Sequence, residues 1–382
     1  MTTMFRNGLT ELRLAARALA KRPGYACVAS FTLALGIGAS LAIFTVVNAV
    51  LIRPLPYPDS DRIVEVRHHA PGLNMPDLES SPGLIQRYRR SARTLTPMAA
   101  YNNRRLNLAG SGSPERVNAV AVTAELFDVL ATRRVLGRPF HDADARPGAP
   151  LVAILTYNMW QTRFGTDPGV VGRTVQLDGR PAEIVGVMPR GFAFPTRDTR
   201  LLVPLPLDPQ DGFGTFGIYV LARLRPGVTL GAARNEVNEL QRRIPEWFPE
   251  LTKETLDGFR WSVTVDPLLD RVVHRVAPTL WILLGTVALV LLVAGANVAN
   301  LFLVRAESRQ REIAVRAALG ASRGRIAGTF LAESVVLALT GGLMGVLLAA
   351  AGTRLLVAHG PAQLPVWTRC AWTHACSCLL PF

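Results

Sequence analysis

The 382-residue sequence has little of what most soluble enzymes use for catalysis. It contains only two lysines, Lys21 and Lys253, and neither follows a glycine-rich turn. A phosphate-binding loop of the pattern GxxxxGK[ST] needs such a lysine, so these residues form no nucleotide site of that kind. The pattern HExxH, typical of zinc proteases, is also absent. We therefore predict no catalytic residue, no metal site and no cofactor, and we do not expect an enzyme.

Cysteine and histidine are also scarce. The segment 53–278 has no cysteine, because Cys27 lies before it and the other three lie in the last 13 residues. Its stability is therefore not expected to depend on disulfides. The six histidines have neither metal-ligand nor catalytic spacing. We expect them at the surface, with adjacent His68 and His69 on opposite faces of a strand.

What the sequence does contain is long runs without any charge. Pro23–Ile52, Val276–Val304 and Ser334–Thr353 are each charge-free. A helix of roughly 20 apolar residues crosses the hydrocarbon core of a bilayer, so each run predicts a membrane span. The first run is too long for the apolar part of a cleaved signal peptide, which covers about 7–15 residues. We therefore interpret it as a retained transmembrane helix.

The net charge of +14 is concentrated beside these runs. Residues 1–23 carry five bases and one acid, and residues 305–325 carry six arginines and two acids. These two segments hold +8 of the total, while 53–278 has 29 bases and 24 acids. Such clustering follows the positive-inside rule and does not indicate nucleic-acid binding. It predicts a cytoplasmic N-terminus and a domain 53–278 outside the membrane.

These patterns predict a membrane protein with an α-helical transmembrane bundle and a large α+β extracytoplasmic domain. The predicted segments are an amphipathic cytoplasmic helix (1–23), a first span (24–52), an outer domain (53–275), a second span (276–304), a cytoplasmic segment (305–325), a third span (326–355) and an atypical tail (356–382).

Within the outer domain, caps and turns mark several elements. Asp178-Gly179 between two β-rich runs predicts a hairpin, and Thr156 predicts the start of a helix that ends at Phe164. Thr123 is predicted to cap a helix over Ala124–Leu130. Leu230–Ile244 is predicted to form a single helix. Helices and hairpins alternate without a regular βαβ period, which favours an α+β fold.

Small and polar residues in the spans predict helix packing. Residues separated by four positions let helix backbones approach closely when both are small. Two asparagines three positions apart share a face and are expected to hydrogen-bond to another helix, with a substrate path as the alternative. The packing positions are Gly36 and Ser40 in the first span, Asn297 and Asn300 in the second, and Gly341 and Gly345 in the third.

The segment 305–325 also has features beyond its charge. Glu312 and Arg316 stand four residues apart, a spacing that supports a helix. Ala317 and Ala318 lie among other small or apolar residues, which suit docking in the cleft of a partner. A segment used for topology alone would need only positive charge.

Several of these stretches are familiar. The stretch Asn297–Ala349, NVANLFLVRAESRQREIAVRAALGASRGRIAGTFLAESVVLALTGGLMGVLLA, resembles the FtsX-like permease domain of MacB-type ABC transporters. LPYPDSDRIVEV at Leu55–Val66 and DPGVVGRTVQLDGRPAEIVGVMPRGFAFP at Asp167–Pro195 are similar to the MacB-like periplasmic core domain. The N-terminal stretch resembles the first half of large duplicated permeases. The resemblance covers most of residues 24–355.

This resemblance implies a permease subunit that works with a separate ABC ATPase. It implies an efflux or export role in the inner membrane, contact with lipid, and a homodimer or heterodimer of permease halves, with no nucleic acid. The segment Arg311–Ser322 resembles the family's coupling segment, whose positions here are Arg311, Glu312, Arg316, Ala317, Ala318, Gly320, Ala321 and Ser322.

The sequence departs from the family after the third span. A fourth span is missing, and residues 356–382 suggest a truncated or frame-shifted end. Without that span, either the Asn297/Asn300 face or the Gly341/Gly345 face is expected to lack a packing partner. A membrane-anchored sensor and a non-functional permease fragment are the alternative interpretations.

Overall fold

The computed structural model describes residues 17, 19–20, 23–48, 51, 54–110, 112–208, 212–214, 216–274, 276–308 and 323–359. Pro54–Arg275 form one compact unit, and the long helices on either side of it in the sequence form another. The helices are α1 (Pro23–Val47), α2 (Pro82–Ser91), α3 (Leu126–Val129), α4 (Tyr157–Phe164), α5 (Leu230–Gln241), α6 (Ile244–Trp247), α7 (Lys253–Phe259), α8 (Leu268–His274), α9 (Ala277–Ser308) and α10 (Arg323–His359). The strands are β1 (Ile63–Ala70), β2 (Met75–Leu78), β3 (Leu95–Ala109), β4 (Glu115–Val122), β5 (Leu136–Gly137), β6 (Leu151–Leu155), β7 (Thr174–Leu177), β8 (Arg180–Val187), β9 (Thr199–Pro204), β10 (Tyr219–Leu224) and β11 (Ser262–Pro267).

Three helices in the described part of the chain are long and apolar enough to cross a membrane. They cover Pro23–Val47, Ala277–Val304 and Leu331–Leu355, with mean hydropathies of 2.0, 2.4 and 2.1. These are the three predicted spans. The helices α9 and α10 extend beyond the apolar runs, to Ser308 at the end of one and from Arg323 at the start of the other.

The outer unit is built on one mixed sheet. The strand order is β11-β1-β10-β3-β4-β9-β6-β8-β5, with β2 added beside β1 and β7 beside β3 and β8. Most neighbours are antiparallel, while β4–β9 and β6–β8 are parallel. Hydrophobic side chains from alternate strand positions form two clusters, and the helices cover them. This arrangement is the α+β domain that the sequence predicts.

Local signals explain where several elements begin. The hydroxyl of Thr156 accepts a hydrogen bond from the amide of Met159 and caps α4, as predicted. Asp178 and Gly179 have φ angles of 48° and 77°, which a two-residue hairpin turn between β7 and β8 requires. Here the sequence prediction of a hairpin is confirmed.

Other predictions were wrong in detail. The hydroxyl of Thr123 accepts hydrogen bonds from the amide of Ala100 and from Arg89, so it is not a helix cap. The helix after it is only Leu126–Val129. The predicted single helix Leu230–Ile244 ends at Gln241, and a separate short helix begins at Ile244.

His68 is buried, not at the surface. Its Nε2 lies 3.1 Å from the Tyr88 hydroxyl, and its ring stacks against Tyr88 and Trp261. Burial lowers the pKa of His68 to about 3, so the ring stays neutral and belongs to the core. The alternation of side chains along a strand correctly predicted that His68 and His69 point to opposite faces of β1. It did not show that Tyr88 and Trp261 cover the face on which His68 lies.

Candidate functional site

The first span α1 packs against both other spans. Gly38 lies where a Cβ carbon would be 2.9 Å from the carbonyl oxygen of Gly345 on α10. A Cβ on Gly345 would be 3.1 Å from the carbonyl oxygen of Ala34, and one on Gly341 would be 2.8 Å from the Cβ of Leu33. The backbones of α1 and α10 therefore approach to a distance that only glycine permits.

Polar and aromatic contacts add to this packing. The hydroxyl oxygens of Ser30 on α1 and Thr340 on α10 are 3.1 Å apart and form a hydrogen bond. Tyr25 on α1 makes an edge contact with Phe302 on α9, with ring centroids 6.2 Å apart. A hydroxyl pair across two helices satisfies polar groups that lipid cannot.

Gly36 faces a different helix from Gly38. A Cβ on Gly36 would lie 3.1 Å from Leu291 and 3.3 Å from Ala294, both on α9. Ser40, predicted to pair with Gly36, has a buried hydroxyl without a hydrogen-bond partner in the described residues. The sequence prediction named Gly36, Gly341 and Gly345 as packing positions but did not include Gly38. The signal for Gly38 was that it is a second small residue, two positions after Gly36.

Asn297 and Asn300 do not face another of the described helices. Both are exposed, and neither side chain makes a hydrogen bond to a described residue. The stripe of α9 that faces α1 contains Ala294 and Val298, four residues apart, and leaves the asparagines on its flank. Of the two faces considered above, the asparagine face lacks a partner within the described chain, whereas the glycine face is packed.

The predicted coupling positions lie outside the described residues. These positions are Arg311, Glu312, Arg316, Ala317, Ala318, Gly320, Ala321 and Ser322.

The outer unit holds the chain that arrives from the first span through a buried arginine. We call Pro54–Arg62 the inbound connection. Arg223 on β10 donates hydrogen bonds to the carbonyl oxygens of Pro58 and Asp59, at 3.0 and 3.3 Å, and to that of Val129 at 2.7 Å. Its side chain is only 9% exposed, and burial lowers its pKa. Leu55, 4% exposed, inserts into the neighbouring hydrophobic cluster.

The chain that leaves toward the second span is held by ion pairs instead. We call α8, Leu268–His274, the outbound connection. Arg271 lies 3.3 Å from a carboxylate oxygen of Glu65 on β1 and donates to both oxygens of Asp77 on β2, at 3.1 and 3.2 Å. Leu268 is buried in the same hydrophobic cluster as Leu55.

The two carboxylates are shared with a second arginine. Arg67 on β1 lies 2.6 Å from Asp77 and 3.8 Å from Glu65. Burial raises the pKa of Glu65, although both arginines oppose the change. Burial also acts against ionisation of Asp77, but the hydrogen bond from Arg67 and the nearby arginine charges hold its pKa below the usual value.

Both connections therefore meet at β1. This strand follows the inbound connection directly, and its neighbour β11 runs directly into the outbound one. Val64 near the start of β1 is paired with Pro267 at the end of β11. Sequence reasoning missed this attachment site. A signal existed in Arg223, a charge inside the otherwise apolar strand YVLARL.

The outer unit also has a cleft of about 320 Å³. Its polar lining includes the Arg89–Glu125 pair, 2.9 Å apart, together with Asp142 and Arg146. The described residues contain no group of three or more His, Cys, Asp or Glu side chains placed to hold a metal ion.

Comparison with known proteins identifies the two parts of the chain. Residues 27–240 match the family model described as MacB-like periplasmic core domain, and residues 284–369 match FtsX-like permease C-terminal. The first match alone covers more than half of the chain.

Named relatives agree with these matches. The chain is 30% identical over 227 residues to the pyoverdine export ATP-binding/permease protein PvdT of Pseudomonas syringae pv. tomato, covering 58% of this chain and 33% of that protein. It is 28% identical over 247 residues to the macrolide export ATP-binding/permease protein MacB of Neisseria gonorrhoeae, covering 64% and 36%. The chain thus spans about a third of the length of these relatives.

Among solved structures, the periplasmic region of MacB from Actinobacillus actinomycetemcomitans aligns with 62% of this chain and 97% of that structure, at 12% identity and a TM-score of 0.40. On the strength of the two family matches, the chain belongs to the MacB/FtsX-like family of ABC transporter permeases.

Proposed function

We propose that this chain is the permease of an export system in which a separate ABC ATPase drives movement of the outer domain. The 382 residues contain no GxxxxGK[ST] segment, so we assign nucleotide binding to a partner. Two relatives are named for export of pyoverdine and of macrolides, which supports export as the direction. Their different cargoes give no reason to choose a substrate here.

The attachment site is the observation that carries this proposal. The two chain connections between the outer domain and the spans end on adjacent strands, β1 and β11. Each connection is tied to the sheet by an arginine and by a buried leucine. A relative displacement of α1 and α9 would therefore pull directly on two neighbouring strands, which is suited to mechanical work.

The orientation and the coupling surface are part of the proposal. We place the N-terminus and residues 305–325 in the cytoplasm of the inner membrane, because of their positive charge, and the outer domain in the periplasm. Arg311–Ser322 then faces the ATPase. The chain works as a homodimer or a heterodimer of permease halves in lipid.

The test is to purify the tagged chain from membranes of its native host and to measure ATP hydrolysis that purifies with it. Replacing Ala317 and Ala318 with aspartate puts charge into the proposed contact and should abolish this activity. As a matched control, aspartates at Thr2 and Thr3 add the same charge to the proposed cytoplasmic side and should leave it intact. Both variants should insert equally into the membrane.

Full activity in the Ala317→Asp, Ala318→Asp variant would mean that another surface binds the ATPase. Wild-type chain that purifies without any ATP hydrolysis would count against a separate ATPase partner.

A further inference from the structure

The two connections are attached to the outer domain in different ways. Arg223 holds the inbound connection by donating to backbone carbonyls, and its side chain is 9% exposed. Arg271 holds the outbound connection through carboxylates on other elements, and its side chain is 28% exposed. The first attachment is made mainly by buried hydrogen bonds to backbone carbonyls, with one ion pair of 4.0 Å to the exposed carboxylate of Asp59. The second consists of partly hydrated ion pairs.

Breaking the inbound attachment would be costly. Arg223 also donates to the carbonyl of Val129, at 3.0 Å from Nε and 2.7 Å from Nη2. Removing Pro58 and Asp59 from it would leave donors of a buried guanidinium without acceptors. Buried charged groups that lose their partners are strongly destabilising.

Breaking the outbound attachment leaves each carboxylate with an arginine nearby, although Glu65, whose side chain is 7% exposed, loses the hydrogen bond from Arg271. If Arg271 leaves, Asp77 still has Arg67 at 2.6 Å, and Glu65 still has Arg67 at 3.8 Å. Arg271 itself is exposed enough to be solvated by water when it separates. When α8 separates from the sheet, Arg67 therefore stays on β1 beside the carboxylates, and Arg271 moves with α8.

We propose that α8 is a detachable attachment, that Arg271 is the positioning residue that holds it against Glu65 and Asp77, and that the inbound connection stays fixed. This inference rests on the proposed function, because the second span that follows α8 supplies the pull. In the detached state Arg67 keeps its ion pair with Asp77 and stays 3.8 Å from Glu65.

The first test uses buried leucines as reporters, without nucleotide. In a purified chain whose four native cysteines are replaced by serine, Leu268→Cys reports on α8 and Leu55→Cys reports on the inbound connection. Adding Arg271→Gln should raise the rate of maleimide labelling at position 268 by about tenfold and leave position 55 unchanged. Arg242→Gln, which removes an exposed arginine that pairs with Glu239 on α5, is the matched control and should change neither rate.

Hydrogen–deuterium exchange on chains without the reporter cysteines covers the case in which Leu268→Cys fails to fold. Arg271→Gln should accelerate exchange of the amides of Leu268–His274 but not those of β1, and Arg271→Lys should restore part of the protection. Equal acceleration in α8 and the inbound connection, or no change in α8, would overturn the proposal.

A second labelling arm separates this inference from the proposed function. In native membranes that contain the ATPase, ATP should raise labelling at position 268 and not at position 55. If Arg271→Gln frees α8 in the purified chain but ATP changes nothing in membranes, the detachable attachment stands and ATP-driven movement fails. If ATP raises labelling at position 55 instead, the fixed and moving connections are assigned the wrong way round.

Discussion

Gly38 and Gly345 meet so closely that a Cβ carbon on Gly38 would lie 2.9 Å from the carbonyl oxygen of Gly345. Contact at this distance leaves no room for a side chain at either of these two positions. The separation of α1 and α10 is therefore set by backbone atoms, with the Ser30–Thr340 hydrogen bond beside them. A larger residue on the face of α10 that contacts α1, at Gly341 or Gly345, should therefore disturb this packing. A larger residue at Gly342, where no atom lies within 4 Å of the Cβ position, should be tolerated.

Gly345→Leu should separate α1 from α10, because its Cβ alone would lie 3.1 Å from Ala34 and from Ile37. Overpacking of this kind costs about 1–3 kcal/mol. Disulfide formation between Ser30→Cys and Thr340→Cys, in a chain with its native cysteines replaced, should fall several-fold. Gly342→Leu is the control on the same helix, since no atom lies within 4 Å of its Cβ position. Equal yields in the two leucine variants would contradict the close packing.

Arg223→Met should destabilise the outer domain, because it leaves the carbonyls of Pro58, Asp59 and Val129 without their donor. We expect a loss of about 2–4 kcal/mol in the free energy of unfolding. Urea unfolding of the purified chain, followed by hydrogen exchange in the sheet, measures it. Arg225→Met changes an exposed arginine two residues later and should cost less than about 0.5 kcal/mol. If Arg223→Met and Arg225→Met have the same free energy of unfolding, Arg223 does not stabilise the outer domain in this way.

The Arg138–Asp144 pair should make stability depend on pH. Two hydrogen bonds from Arg138, at 2.7 and 2.9 Å, hold the pKa of Asp144 below its usual value, and the amide of His141 adds a third. Because the folded pKa is lowered, this stabilisation is present above the unfolded pKa of about 3.9 and is lost as pH falls through the folded pKa.

Asp144→Asn should therefore be less stable than wild type at pH 7, and the difference should shrink below about pH 4. Thermal unfolding at pH 7, 4 and 3 measures it. A difference that is constant over this range would show that Asp144 acts through something other than its charge.

The proposed orientation predicts which residues an impermeant thiol reagent reaches from the periplasm. In a chain whose native cysteines are replaced, Ser113→Cys in the outer domain should label in cells with a permeabilised outer membrane. Ser322→Cys in the proposed cytoplasmic segment should label only after the inner membrane is opened. Labelling of position 322 first would reverse the topology.

The sequence predicted the spans and much of the outer domain because both depend on local patterns. Hydropathy over 20 residues marks a span, and Asp178-Gly179 marks a hairpin, without knowledge of the rest of the fold. The strand β3 was not predicted, because its central part, Tyr101–Leu108, alternates polar and apolar residues less clearly than β6 does.

The attachment site could not be predicted, since it depends on contacts between residues far apart in the chain. Arg271 and Glu65 are separated by 206 positions, and Arg223 and Pro58 by 165. In the sequence these charged residues cannot be distinguished from ordinary surface charges. Their contacts exist only because β11, β1 and β10 are neighbours in the folded sheet. Gly38 was missed for a related reason, because a helix sequence does not show which of its faces meets which neighbour.

The pairing of Val64 with Pro267 has an evolutionary consequence. Neighbouring strands lie about 4.8 Å apart, so the first strand of the outer domain starts beside the end of its last strand. A domain with adjacent termini can be inserted into a loop, or exchanged for another, without changing the length that the loop must bridge. Membrane helices of this kind could therefore acquire different outer domains by recombination, with only two strand ends to be refitted.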